Sequence, residues 1–339
     1  MAGKKGLVMS KRQVLILLPE DDTDCGAFST QVESDSFLSD SISLRFSSRD
    51  DAIRYIPEAE VLICGTVSPE LILAATNLKW INFWSAGLDG KVTQQIVERG
   101  LLVTNSSGVH ATSIAEHVFG YMLMFTRNLH LHMRSQVNRE WNRNDNTQRK
   151  GADELEGKTL GIVGLGRIGE ALTTRAQAFG MRVIASKRDV SQRYNSAAKP
   201  ELIMPSDELP LLLRQSDHVV ICLPYTSETH HLFDTGMLKN MKPSAYLYNI
   251  ARGKIVDEDA LIEALRREQI AGAGLDVFEQ EPLPIRSPLW DFENVILTPH
   301  TGGLTPHYFT RTAEIWAENM RRYLRGEPMT NVYDEVRGY

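Results

Sequence analysis

Three segments in the second half of this 339-residue chain concentrate ionisable side chains where short apolar runs end. Tyr248-Asn249-Ile250-Ala251-Arg252-Gly253 brings an arginine to one such end. Gly274-Leu275-Asp276-Val277-Phe278-Glu279-Gln280-Glu281-Pro282 closes a second with acids, and Leu297-Thr298-Pro299-His300-Thr301-Gly302-Gly303 closes a third with a histidine. In open α/β sheets, ligands bind outside the carboxyl ends of the strands. There Arg252 can fork onto a carboxylate, His300 can give or take a proton near neutral pH, and Glu281 can steady the imidazolium. Each residue alone has an ordinary alternative. Arg252 could pair with Asp257 on the surface, Glu281 could sit in a solvated loop, and His300 could cap a turn. Their joint occurrence in the half that also carries a glycine-rich loop favours acid–base chemistry on a carboxylate-bearing small molecule.

That loop is Gly164-Leu165-Gly166-Arg167-Ile168-Gly169, a GxGxxG. It follows an apolar run expected as a buried strand, Thr159–Val163, and opens a helical pattern over Ile168–Phe179. In a dinucleotide site the first glycine makes the tight turn, the second admits a pyrophosphate and the third lets helix and strand pack closely. The helix N-terminus then offers unpaired N–H groups and partial positive charge to the phosphates. The alternative is a strand–turn–helix with no ligand. About 20 residues further on, an NAD site places Asp or Glu for the ribose hydroxyls. Here the strand ends Ala185-Ser186-Lys187-Arg188. Two cations cannot accept hydrogen bonds from a ribose diol but suit a 2′-phosphate, so NADP(H) is the expected cofactor. NAD stays open in two ways: a solvated basic strand end that tolerates either cofactor, or Asp189 taking the acidic role.

These segments need a scaffold. The first third of the chain alternates expected strands at Gln13–Pro19, Ser41–Phe46, Val61–Gly65, Trp80–Phe83 and Leu101–Asn105 with helical stretches such as Pro69–Ala75 and Thr93–Arg99. A second series places strands at Thr159–Val163, Met181–Ala185, His218–Leu223, Ala245–Ile250, Gly272–Val277 and Val295–Leu297. Its helices would fill Ile168–Phe179, Asp207–Gln215, Thr235–Asn240 and Asp259–Glu268. Such alternation implies parallel sheets wrapped by helices. Between the series, apolar residues from Ile114 recur every three to four positions and predict one helix continuing towards Val137; the polar stretch Arg139–Gly151 reads as a loop. A final amphipathic helix after Pro306 carries Phe309, Ala313, Trp316, Ala317, Met320 and Tyr323.

Composition narrows the classes. The length suits two domains at roughly 100–200 residues each. With 37 basic and 43 acidic residues, the net charge of -6 leaves no basic excess for coating nucleic acid or a membrane surface. The three cysteines, Cys25, Cys64 and Cys222, form no CxxC, which argues against a disulfide scaffold or cysteine zinc site and fits a reducing compartment. The apolar run Val14–Leu18 is too short for a signal peptide, and Val118–Phe125 falls well short of the ~20 residues of a membrane span. A cytoplasmic protein is expected. No metal site is expected either: HExxH is absent, His130 and His132 lie two apart, and His230-His231 lacks acids or cysteines at ligand spacing.

The chain resembles the D-isomer-specific 2-hydroxyacid dehydrogenases along essentially its whole length. The resemblance rests on Gly161–Gly169, Cys222-Leu223-Pro224, Asn249–Gly253 with Val256-Asp257, Gly272–Pro282 and Ser287–Gly303. The spacings of 29 residues from Arg252 to Glu281 and 19 from Glu281 to His300 add to it. The resemblance implies an α/β fold of two doubly wound parallel-sheet lobes. A flavodoxin-like substrate lobe (1–109 and 304–339) would carry an inserted Rossmann-type dinucleotide-binding lobe (110–303), with a dimer arm at about 114–151. It further implies that Arg252 binds substrate, that Glu281 and His300 are the acid–base pair, and that Asp276 holds the nicotinamide amide. Leu223, Pro224, Ile250, Ala251, Gly302 and Gly303 would line the cofactor. The loop Trp84-Ser85-Ala86-Gly87-Leu88-Asp89 would offer backbone N–H groups to the substrate carboxylate, with Ser85, Ala86 and Gly87 as contacts. The implied activity is reduction of a small 2-oxoacid such as glyoxylate or hydroxypyruvate to the D-2-hydroxyacid, by a homodimer. Trp141 would stand on the dimer arm, either reaching the partner's pocket or simply packing. The fold also serves dinucleotide-sensing corepressor-like proteins and phosphite or formate oxidation, which remain alternatives.

Overall fold

The computed structural model describes residues 10–19, 24–141, 152–190 and 198–335, so residues 142–151 of the polar stretch lie outside the described residues. The chain divides into two compact units, Met1–Val109 with Thr305–Tyr339, and His110–Leu304.

The first unit holds strands β1 (Arg12–Ile16), β2 (Ile42–Phe46), β3 (Val61–Cys64), β4 (Trp80–Phe83) and β5 (Leu102–Asn105) in one parallel sheet of order β2-β1-β3-β4-β5. Because strand side chains alternate in direction, β1 sends Val14 and Ile16 to one core and Leu15 to the other, and β3 divides Val61 and Ile63 from Leu62 likewise. Helices α1 (Cys25–Glu33) and α2 (Ser36–Ser41) cover one face, and α3 (Ala52–Tyr55), α4 (Pro69–Ala74) and α5 (Gln94–Glu98) the other. The helix expected after Pro306 closes the first face, burying Ala313, Trp316, Ala317 and Met320. The strand expected from Ser41 begins at Ile42, because Asp35 accepts the N–H groups of Phe37 and Leu38 and starts a short helix that runs through Ser41.

In the second unit, α6 (Ala111–Thr126) and α7 (Leu129–Asn138) precede β6 (Thr159–Val163), α8 (Arg167–Ala178) and β7 (Arg182–Ser186). There follow β8 (Leu202–Met204), α9 (Leu209–Gln215), β9 (His218–Ile221), α10 (Thr235–Leu238), β10 (Tyr246–Asn249), α11 (Glu258–Arg266), β11 (Gly272–Leu275) and β12 (Val295–Leu297). Back in the first unit, the last helix is α12 (Tyr308–Arg325). The second sheet is parallel throughout, in the order β12-β11-β10-β9-β6-β7-β8. The order reverses between β6 and β9, the switch point at which open α/β sheets bind nucleotides. The single helix expected from Ile114 to Val137 is instead two. Thr126 bonds back to the Met122 carbonyl, and Asn128 takes a left-handed φ of 53°, which asparagine tolerates. None of the described helices is long and apolar enough to cross a membrane.

Candidate functional site

The glycine-rich loop joins β6 to α8. Gly164 has φ 99°, and a Cβ there would come within 2.9 Å of Leu223 and 3.0 Å of the Cys222 carbonyl, so only glycine admits the Leu223-Pro224 segment beside the turn. The Gly164 and Leu165 N–H groups donate to the hydroxyl and carbonyl of Ser186 at 3.3 and 2.9 Å, tying the turn to the end of β7. Gly166 caps α8 without a side chain, with open space around it, and Arg167, the first helical residue, is exposed. Behind them Ile168 is half-buried, and Gly169 packs on Ile162. A twelve-residue helix whose first turn has no side-chain cap offers its N–H groups outward, so these residues fit a dinucleotide pyrophosphate. Lys187 and Arg188 follow at the end of β7. Lys187 is half-buried, while Arg188 reaches Glu228 at 2.9 Å.

Arg252, Glu281 and His300 follow the neighbouring strands β10, β11 and β12. Asn249 folds the first turn, accepting the Ala251 N–H and donating to the Arg252 carbonyl, and buried Ile250 and Ala251 anchor it. Arg252 donates to the Ala251 carbonyl at 2.8 Å. Asp257, the alternative partner for Arg252, caps α11 instead by accepting the Ala260 N–H. At Gly253 a Cβ would lie 1.9 Å from the Phe278 backbone, so glycine is what lets the loops after β10 and β11 press together. In the second loop Glu281 accepts the Phe278 N–H with one oxygen and meets His300 Nδ1 with the other, at 2.8 Å. A carboxylate can only accept, so Nδ1 carries a proton and Nε2 is the nitrogen left for proton exchange. Both side chains remain partly exposed.

Asp276 was expected at the nicotinamide amide. It is buried, and its carboxylate already accepts three hydrogen bonds: one oxygen takes the Thr298 hydroxyl and the Thr301 N–H, the other the Gly302 N–H at 2.9 Å. Its carbonyl accepts the N–H of His300, which holds φ 55°. Gly303 closes this loop, its carbonyl accepting from His110. Thr298, His110 and, behind them, His117 and Tyr121 were not singled out in the sequence; only the helical spacing of the last two was there to read. His231, with no acid or cysteine at ligand spacing in the sequence, meets Glu279 at 2.7 Å, an acid 48 positions away that local spacing does not show. Among the described residues no group of three or more His, Cys, Asp or Glu could hold a metal ion. Burial pushes the Cys64 thiol up to about 12, far from a reactive thiolate.

In the first unit, the Ser85-Ala86-Gly87 loop leaves β4. Ser85 donates to the Gly87 carbonyl at 2.8 Å and accepts from Lys91 at 2.7 Å, and the Ala86 carbonyl accepts from Asn105. Lys91, a cation on this loop, also escaped the sequence reading.

Comparison with known proteins agrees with this fold. The pattern of the family described as "D-isomer specific 2-hydroxyacid dehydrogenase, NAD binding domain" matches residues 119–302. A glyoxylate reductase of Thermofilum pendens is 39% identical over 296 residues, covering 85% of this chain and 86% of its own. A D-isomer-specific 2-hydroxyacid dehydrogenase family protein of Aeromonas salmonicida superposes with TM-score 0.77 at 31% identity, over 96% of this chain and 99% of its own. One from Xanthobacter autotrophicus, solved in complex with NADPH and MES, gives TM-score 0.78 at 27% identity, over 97% and 100%. On that match and that identity, the chain belongs to the D-isomer-specific 2-hydroxyacid dehydrogenases, a family of NAD(P)-dependent oxidoreductases.

Proposed function

We propose that this protein is an NADPH-preferring reductase of small 2-oxoacids such as glyoxylate or hydroxypyruvate. The observation that carries the reading is the 2.8 Å contact of His300 with Glu281, which follow the two strands beside that of Arg252 on a dinucleotide-type sheet. The uncapped start of α8 and the Gly164 turn would hold the pyrophosphate, Lys187 and Arg188 the 2′-phosphate, and Leu223, Pro224, Ile250, Gly302 and Gly303 the nicotinamide side. When bound, NADPH supplies the hydride taken up by the carbonyl carbon. Arg252 anchors the carboxylate and carbonyl oxygen, so that the substrate is oriented before reaction. His300 passes its Nε2 proton to the carbonyl oxygen as that oxygen gains charge, and Glu281 keeps the ring in place while the proton leaves. Within the first unit, the backbone N–H groups of Ser85, Ala86 and Gly87, with the charge of Lys91 beside them, suit a carboxylate. Preference for NADPH is supported by the two cations after β7 and by the NADPH found with the Xanthobacter relative. Glyoxylate is favoured by the name of the Thermofilum relative.

A spectrophotometric screen of NADPH and NADH against glyoxylate, hydroxypyruvate, pyruvate and bulkier 2-oxoacids tests this. The expected result is oxidation of NADPH by a small 2-oxoacid, faster than that of NADH. Binding of NADPH with turnover of none would point instead to a dinucleotide sensor, and turnover of phosphite or formate alone would replace the substrate class. The chain is further proposed to act as a homodimer, supported by an apolar stripe on α7.

A further inference from the structure

We propose that His117 is a positioning residue for this reaction. Together with Tyr121 it fixes the Thr298 hydroxyl onto Asp276, and so holds the loop that carries His300 from the side of helix α6. The inference rests on the reading of His300 as the acid–base residue.

The loop Thr298–Gly303 is gripped from two directions. From β11, Asp276 takes the Thr298 hydroxyl and the N–H groups of Thr301 and Gly302, as described above. From α6 comes a polar stripe, His110, Ser113, His117 and Tyr121, whose spacing of three and four places it on one helix face. His110 Nδ1 meets the Gly303 carbonyl at 2.8 Å, and Ser113 donates to the same oxygen at 3.3 Å. His117 Nε2 lies 2.9 Å from the Thr298 hydroxyl oxygen, which Tyr121 also contacts. The two rings pack edge to face at 4.6 Å, and Gly274 of β11, where a Cβ would stand 2.8 Å from the Tyr121 ring, lets that ring lie against the strand.

The proton inventory closes. Asp276 as a carboxylate is acceptor only, so Thr298 must donate to it. The threonine oxygen then has two lone pairs left, which the Tyr121 O–H and His117 Nε2–H fill. Burial holds His117 below the ordinary imidazole range against the pull of Asp276, so the neutral ring uses its Nε2–H tautomer. Removing the His117 donor, or the Thr298 hydroxyl between it and Asp276, frees one side of a loop whose own backbone is in the left-handed region at His300. A misplaced general acid lowers turnover without removing the cofactor site.

The test compares four full-length variants: His117→Phe and Thr298→Val, which lack the polar group, and His117→Gln and Thr298→Ser, which keep it. Amide hydrogen exchange at Thr301 and Gly302, measured without substrate or cofactor, is expected to quicken about tenfold in the first pair and to stay near wild type in the second. With NADPH and a 2-oxoacid, kcat is expected to fall about tenfold in the first pair, with cofactor Kd within about twofold, and to recover in the second. The double variant His117→Phe/Thr298→Val is expected to lose no more than either single change, because both cut one network. Unchanged exchange in folded Phe and Val variants overturns the proposal, and so does a Gln or Ser variant as impaired as its apolar counterpart. If the wild type turns over no 2-oxoacid, the proposed function fails while the exchange comparison still decides whether the clamp exists.

Discussion

At the scale of single residues the site is a chain of hydrogen bonds with a direction. Glu281 is itself pinned by the Phe278 N–H before it receives His300, so the imidazole is oriented by the backbone of the same loop. His300→Ala is therefore expected to lower kcat by on the order of a thousandfold, the usual worth of a positioned general acid. The Kd for NADPH, followed by nicotinamide fluorescence, should change less than about twofold; equal losses in both would refute the assignment. Arg188 has Glu228 as a partner while half-buried Lys187 directly follows β7, which makes Lys187 the sharper test of the proposed cofactor preference. Lys187→Asp is expected to reduce the NADPH:NADH ratio of kcat/KM by about tenfold or more, because a carboxylate repels the 2′-phosphate and accepts from the ribose diol. An unchanged ratio would leave the preference to other groups.

At the scale of elements, β9 makes the second unit sensitive to acid. His218 on that strand is sealed between the β6 and β10 strands, with Nδ1 2.9 Å from the Tyr248 hydroxyl, and burial pushes its pKa down to about 4. The unfolded chain takes up that proton near 6.5, the folded one only near 4. Stability from this histidine is thus complete above about pH 6.5 and drains as pH falls towards 4, by about 3 kcal/mol in all. Urea midpoints at pH 7 and pH 4.5 should show that drop in the wild type. A smaller drop is expected in His218→Gln, which has no such proton to take up. The break at Asn128 matters at this scale too. It ends α6 before α7 begins, and Leu129, Met133 and Val137, four apart on α7, are 44%, 59% and 82% exposed, with Trp141 just beyond at 90%.

At the scale of the whole molecule, such a stripe is what a second copy would cover, since soluble chains seldom leave contiguous apolar surface of this kind to water. Sedimentation velocity is expected to give a dimer for the wild type and a shift towards monomer for Met133→Glu/Val137→Glu; a monomeric wild type would remove the arm from the account. The two-unit architecture, the glycine turn and the strand positions were readable in advance, except for the three-residue edge strand β8, too short and too exposed to show a pattern. Each is written in local pattern: the period of two in the strands, the apolar runs of buried parallel strands, and glycines where no side chain fits. The placement of Arg252, Glu281 and His300 was readable because they close strands, and strand ends in a parallel sheet gather on one edge; the chemistry assigned to them is a proposal. Other features left no local trace. Thr298 and His117 are 181 positions apart, and His231 and Glu279 are 48 apart. The helix break at Asn128 came from one residue's tolerance of a left-handed turn inside an otherwise unbroken apolar rhythm. The hydrogen bonds that Asp276 accepts from the Thr301 and Gly302 N–H groups were hidden in the same way. A periodic sequence specifies which face of an element is buried, but the partner of a buried polar group is chosen by packing, when strands and helices distant along the chain are brought within hydrogen-bond reach.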